Sequence, residues 1–151
     1  MNYWVMKSEP SVFGIDDLIN KINQTEPWDG VRNYQARNFI REMRRGDYAF
    51  FYHSNCKIPG IVGIIKIATD PYPDSAAFDP SHRYFDPKST PLNPRWYRVD
   101  VTFKEKFKSV ISLSDLKTHP LLKNILLIRK GNRLSIMPLQ KNEWDVILGM
   151  R

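Results

Sequence analysis

Gly60-Ile61-Val62-Gly63-Ile64-Ile65-Lys66-Ile67-Ala68 is the stretch whose reading decides the architecture. Its apolar residues run on without strict alternation, so it reads as a strand buried on both faces for much of its length. Gly60 and Gly63 inside it indicate a bend or bulge, as at the corners of small barrels. Upstream, Gly46-Asp47 turns into the aromatic strand Tyr48–His53, and Ser54-Asn55 is a turn signal before Pro59. Tyr3–Lys7 reads as a first strand, ended by Ser8-Glu9-Pro10 because Pro10 has no N–H for a ladder. Downstream, Trp96–Lys106 alternates, with Tyr97, Val99, Val101 and Phe103 on one face, and Leu134–Leu139 follows the turn at Gly131-Asn132.

Helical spacing lies between these strands. Ile15, Leu18, Ile19 and Ile22 predict a helix over Ile15–Asn23, and Phe39, Ile40 and Met43 give Tyr34–Met43 an inner face. Ser114 can cap a short helix through Lys117. Leu121–Ile128 is read as helical, and Lys141–Gly149 as a closing helix that buries Trp144, Ile147 and Leu148. Asp70–Arg95 is long and irregular, with six prolines from Pro71 to Pro94. Its Tyr72, Phe78, Tyr84 and Phe85 predict a segment packed down on the body. About six strands with short helices, neither a regular βαβ alternation nor a sandwich, give an α+β class built as a mixed barrel.

The 151 residues suggest a single domain over 1–151 with room for a real core. Hydrophobic residues at 42% and charged residues at 26% fit a folded chain rather than a disordered one. Twenty-three Lys and Arg against 16 Asp and Glu give a net charge of +7, which favours a polyanionic partner, nucleic acid first. Cys56 is the one cysteine, so no intrachain disulfide forms. No signal peptide or membrane-spanning run of apolar residues is visible, and a reducing, cytoplasmic setting is expected.

For function the informative stretch is Trp28-Asp29-Gly30-Val31-Arg32-Asn33-Tyr34-Gln35-Ala36-Arg37-Asn38. Little of it suits a core. It offers an aromatic plate, a carboxylate, a permissive glycine, two guanidiniums and amides, and Asn33 suits the N-cap of a helix beginning at Tyr34. The chain should turn sharply and open that helix beside Trp28 and Asp29, forming a wall for a flat polar ligand. Arg37, Arg41, Arg44 and Arg45 share one face of the helix, and a guanidinium fork suits phosphate. A solvated helix face explains the same residues. Tyr52, His53, Ser54 and Asn55 bring a ring, donors and acceptors to a strand end; a simple turn accounts for them equally well. Lys7, Ser8 and Glu9 leave the first strand, and Arg133 and Ser135 enter the late one. His53 and Cys56 make one pair without further ligands nearby, so no metal and no cofactor is expected.

Together these segments resemble the EVE domain family. The resemblance runs through Tyr3–Pro10, Trp28–Asn38, Phe51–Cys56, Pro59–Gly63, Tyr84–Ser89, Asn93–Trp96, and Arg129–Ser135 with Pro138. Met137 stands where a polar residue is more usual. The resemblance implies a PUA-like mixed barrel, related to the YTH readers of methylated RNA, with a pocket for a modified, flipped-out nucleobase. By position it places Trp28, Asp29, Arg32, Asn33, Tyr52, His53, Ser54 and Asn55 at that pocket and Lys7, Ser8, Glu9, Arg133 and Ser135 at its edge. It leaves the partner as DNA or RNA bearing a modified base. A flipped base needs a new stacking partner, for which Trp28 and Tyr52 are the candidates. Two other classes stay open: an enzyme on nucleic acid using Asp29 or Glu9, since PUA-like folds include catalysts, and a module for a small molecule.

Overall fold

The computed structural model describes residues 1–151. Its centre is a six-stranded sheet in the order β2-β7-β4-β3-β1-β8, formed by β1 (Tyr3–Ser8), β2 (Thr25–Pro27), β3 (Tyr48–His53), β4 (Gly60–Ile67), β7 (Asp100–Ser112) and β8 (Ile136–Leu139). Two short strands, β5 (Tyr72–Pro73) and β6 (Tyr97–Arg98), pair apart from it. β1 runs parallel to β3 and antiparallel to β8; the other pairs of the large sheet are antiparallel. The sheet is therefore mixed, with β2 and β8 as its edges.

Both faces of the sheet are buried. On one, Trp4, Met6, Ala49, Phe51, Ile65, Ile67, Val99 and Val101 meet Ile15 and Leu18 of helix α2 (Ile15–Ile19) and Ala36 and Ile40 of α3 (Tyr34–Glu42). On the other, Val5, Phe50, Tyr52, Ile61 and Ile64 meet Leu116 of α4 (Leu113–Thr118) and Trp144 and Ile147 of α5 (Lys141–Leu148). The continuous apolar run of β4 follows from this double covering. Its register shifts fall between Ile61 and Gly63 and between Ile64 and Ile65, against β7, so the predicted irregularity is real. Gly63 is required there by space: a Cβ would lie 2.2 Å from the carbonyl oxygen of Glu105 and 2.4 Å from Ile15 Cδ1.

Several boundaries differ from the sequence reading. The helix expected over Ile15–Asn23 stops at Ile19, because Asn23 and Gln24 take φ of 55° and 50°, and a tight turn leads into β2. α1 (Pro10–Phe13) precedes it, with Pro10 at the N-terminal position where its missing N–H costs nothing. The strand expected over Trp96–Lys106 is two, β6 and a β7 that runs on to Ser112. Ser112, not Ser114, caps α4 by accepting from the Asp115 N–H at 3.1 Å. The helix expected over Leu121–Ile128 is two single 3₁₀ turns, Pro120–Leu122 and Leu126–Ile128, separated at an extended Ile125. Met137 is fully buried beneath α5, which explains an apolar residue at that position. No helix is long and apolar enough to cross a membrane.

Gly63→Ala should lower stability by about 2 kcal/mol, the usual cost of forcing a methyl into a filled interior. A lower denaturant midpoint with an unchanged slope checks this.

Candidate functional site

β1 ends in mid-sheet, between β3 and β8, and an open cleft of about 440 Å³ lies beside that end. Backbone bonds fix its rim. Lys7 N–H donates to the Ser135 carbonyl at 2.8 Å, and Ser54 N–H to the Ser8 carbonyl at 3.1 Å. The chain leaves through Glu9, whose carbonyl accepts from the N–H groups of Val12 and Phe13, both at 2.9 Å, as α1 begins. One wall is the turn Trp28–Asn33. Trp28 N–H donates to the Val99 carbonyl at 2.8 Å, and the indole packs edge-on against Phe51 at 5.3 Å and Phe13 at 6.3 Å between centroids.

A second part of the lining comes from the proline-rich segment, with His82, Arg83 and Tyr84. Gly30 has φ +78°, and a Cβ on it would lie 2.4 Å from the Tyr84 ring, so this position needs glycine for conformation and for space. The two walls are joined by Asp74, which is fully buried. Its carboxylate accepts from the Gly30 N–H, from Arg32 Nη1 and from the Ala76 N–H, each at 3.0 Å, and Arg98 Nη1 stands 3.5 Å away. Arg32 also donates to the Tyr84 carbonyl through Nε at 3.1 Å and Nη2 at 2.7 Å.

Of the residues named from sequence, the cleft gathers Lys7, Ser8, Glu9, Trp28, Asp29, Arg32, Asn33 and Ser135. Arg32 is spent on Asp74 and Tyr84 rather than left free. The Asn33 side chain accepts from the Ala36 N–H at 2.9 Å and caps α3. Tyr52, His53, Ser54, Asn55 and Arg133 do not line the cleft. Strand alternation is the reason for Tyr52: it shares the α5 side of the sheet with Phe50, so it cannot oppose Trp28 across a ligand. Trp28 lines the cleft but is itself only 7% exposed and, with Val31 and Ala36, belongs to the core on the α3 side, so the Trp28–Asn38 stretch supplies more core than its sequence suggested. Tyr52 meets the cleft only through Lys7, whose Nζ sits 5.4 Å from its ring centroid. Burial pushes the Tyr52 hydroxyl up to about 12, with Cys56 adding to it, and burial lowers the Lys7 ammonium from its usual value. His53 lies on the other side of the sheet, where its Nε2 accepts from the Ile15 N–H at 3.1 Å at the start of α2. Asn55, with φ 50°, donates through Nδ2 to Glu9 Oε1 at 2.8 Å.

The sequence reading missed Phe13, Glu26, His82, Arg83 and Tyr84 as lining residues. Tyr84 was visible as an aromatic in a segment expected to pack down, but nothing local joins it to Gly30, 54 positions earlier. Only Arg37 and Arg41 lie on α3; the helix expected to run to Met43 ends at Glu42, where Met43 turns extended, so Arg44 and Arg45 sit beyond it and do not share its face. None of the four makes an ion pair with an acid. Arg37 donates to Asn38 Oδ1 and to the Arg95 carbonyl, Arg41 lies over the Tyr97 ring at 4.8 Å, and Arg44 Nη1 donates to the carbonyls of Arg41 and Met43. Arg45 is exposed, its backbone N–H bound by Asp70. No group of three or more His, Cys, Asp or Glu side chains is placed to hold a metal ion.

The EVE domain family matches residues 2–150. The chain belongs to the EVE domain family. Chicken thymocyte nuclear protein 1 is 47% identical over 165 residues, covering 98% of this chain and 68% of the relative. The human THYN1 protein, solved in complex with 5-methylcytosine containing DNA, superposes with a TM-score of 0.93 at 45% identity, covering 99% of this EVE domain and 97% of that chain. A YTH domain of Zygosaccharomyces rouxii shares the fold at a TM-score of 0.55 and 12% identity, over 99% of this chain and 85% of its own.

Asp74→Ala should cost about 3 kcal/mol, because it leaves Arg32 and Arg98 half-buried without their counter-charge; chemical denaturation checks it. His53 gives a pH signature. Burial is the main cause that lowers its pKa, with Lys106 adding to that and Asp16 and Asp17 opposing it. The folded state therefore prefers neutral imidazole. The stability this brings is present above the unfolded value of about 6.5 and is lost as pH falls through the lower folded value. Melting temperature should fall over that window, and His53→Gln, which keeps an acceptor without a titrating ring, should flatten the fall.

Proposed function

We propose that this EVE domain is a non-catalytic nucleic-acid-binding module that takes a modified nucleobase, swung out of its stack, into the cleft beside β1. The carrying observation is the lining itself: Trp28, Phe13 and Tyr84 share one open cleft with Lys7, Ser8, Glu9, Asp29 and Ser135. A cleft of about 440 Å³ suits one base with its sugar. An unstacked base gains a new apolar face from an aromatic side chain, worth about 1–3 kcal/mol, and its edge needs donors and acceptors. The relative bound to 5-methylcytosine containing DNA supports the same class of ligand.

Tyr84 takes the role first given to Tyr52. It is half-buried and lines the cleft, whereas the Tyr52 ring is committed to the second core. Arg37, Arg41, Arg44 and Arg45 lie outside the cleft and supply unneutralised charge for phosphates, together with Arg133 on the loop that leads to Ser135. Their contribution is sequence-independent and falls with salt. Glu9 accepts a hydrogen bond from Asn55, an arrangement that holds it as an acceptor and suits recognition better than proton transfer. A reducing, cytoplasmic setting goes with this reading.

Oligonucleotides of DNA and RNA carrying a modified base should bind more tightly than their plain counterparts at moderate salt, with no product formed. Tyr84→Ala should weaken binding of the modified probe by about tenfold, the equivalent of one stacking contact. Arg37→Glu with Arg41→Glu should weaken modified and plain probes alike and flatten the salt dependence. Equal binding of modified and plain probes across several modifications would end the proposal.

A further inference from the structure

The cleft contains two carboxylates without an ion-pair partner, Glu9 and Asp29, and they differ in how they are held. Asp29 is exposed and its side chain has no hydrogen-bond partner within the chain, so it is free to turn into solvent. Glu9 is fixed at both ends. Its carbonyl is bound by two N–H groups of α1, and its Oε1 accepts from Asn55 Nδ2 at 2.8 Å, from 46 positions along the chain. Asn55 is in the left-handed region at φ 50°, which asparagine tolerates better than most residues, and its side chain thereby reaches across to the end of β1. An amide N–H can meet a carboxylate only as donor, so this bond has one possible sense. It occupies one oxygen and leaves Oε2 without a partner at the edge of the cleft.

We propose that Glu9, oriented by Asn55, is the acceptor that sets base specificity: it takes the exocyclic amino group of the inserted base, so that the cleft selects amino-bearing bases over their keto counterparts. This rests on the reader function above and adds to it the chemical class of base. The discrimination is physical. A carboxylate oxygen facing an amino group gains a charge-assisted hydrogen bond, whereas facing a carbonyl oxygen it has two acceptors and no proton between them. Asn55 acts through Glu9 and is a positioning residue.

The probes are two DNA duplexes with one variable position opposite an abasic site, occupied by 5-methylcytosine or by thymine. Neither base is paired, so neither probe has a head start in swinging out. Both carry the same 5-methyl group and phosphates; they differ at the 4-amino or 4-oxo group and at the N3 proton. The wild-type protein should prefer 5-methylcytosine by about tenfold or more, the usual worth of one hydrogen bond to a charged group. Glu9→Gln keeps an oxygen to accept from Asn55 and puts an amide N–H donor where Oε2 stood, so 5-methylcytosine binding should fall, thymine binding should rise, and the preference should collapse or reverse. Asn55→Gly, which keeps the backbone angle and removes the tether, should also collapse the ratio. Loss of a merely structural tether would weaken both probes together and leave the ratio intact, and that result overturns the inference. A wild-type protein that favours 5-methylcytosine over plain cytosine yet ignores the exchange for thymine also overturns it, while leaving the reader function standing.

Discussion

Asp74 is a carboxylate with no exposed side chain, and it sits where two distant segments of chain meet. Left alone such a charge costs several kcal/mol, so its surroundings must answer it with donors and positive charge. Two backbone N–H groups and two guanidiniums do so, and they come from the turn after Trp28, from Ala76 beside it and from β6. Satisfying this one group therefore fixes how the Trp28–Asn33 turn lies against the proline-rich segment. Arg32 extends the constraint, since the guanidinium that balances Asp74 also holds the Tyr84 carbonyl. The Tyr84 ring then has its place over Gly30. The two walls of the cleft are separate loops in sequence and one hydrogen-bonded unit in space.

The sheet supplies the rest of the rigidity. β1 is an interior strand, paired on both sides, and its last residues are polar because the chain there emerges from two cores into the cleft. Lys7 and Ser8 are thus set by ladder hydrogen bonds on either side. Functional groups placed at the end of a doubly paired strand keep their geometry better than groups on a free loop. Glu9, one residue beyond the ladder, needs Asn55 to achieve the same.

How far the sequence revealed this depends on whether the cause was local. The strands were legible because alternation and apolar runs are local consequences of burial. The cap at Asn33 and the turn at Gly30 were legible for the same reason, whereas Trp28, Asp29, Lys7, Ser8 and Glu9 were grouped only through the resemblance to the EVE domain family, since nothing local links the two segments. Tyr52 was misplaced although the information was present: in Tyr48–His53 it alternates with Phe51 and His53, and Trp28 packs on Phe51. The helix over Ile15–Asn23 was overextended because apolar spacing carries no trace of the left-handed turn at Asn23 and Gln24. Arg32 reads in sequence as a base-pocket residue, and only the fold brings it to Asp74, 42 positions away. Asn55 has the converse history, since a turn residue outside the cleft proves to hold one of the groups within it.

The division of charge between the cleft and its surroundings gives these placements a common logic. The chain as a whole carries +7. Within the cleft, Arg32 is answered by Asp74 and Glu26 by Lys21 at 3.6 Å, and Glu9 and Asp29 stand against Lys7 and Arg83. The cleft is close to balanced while the surface carrying Arg37, Arg41, Arg44 and Arg45, on α3 and just past its end, is strongly basic. A polyanion is drawn to that arginine surface by its net charge, and it gains nothing by pushing a phosphate into a site that already contains two unpaired carboxylates. A nucleobase is the uncharged, flat part of the same polymer, and the aromatic lining favours its entry. Under the proposed function, affinity and selectivity thereby fall to different surfaces: in it the arginines hold the backbone without regard to sequence, and the fixed acceptor at the end of β1 decides which base is kept.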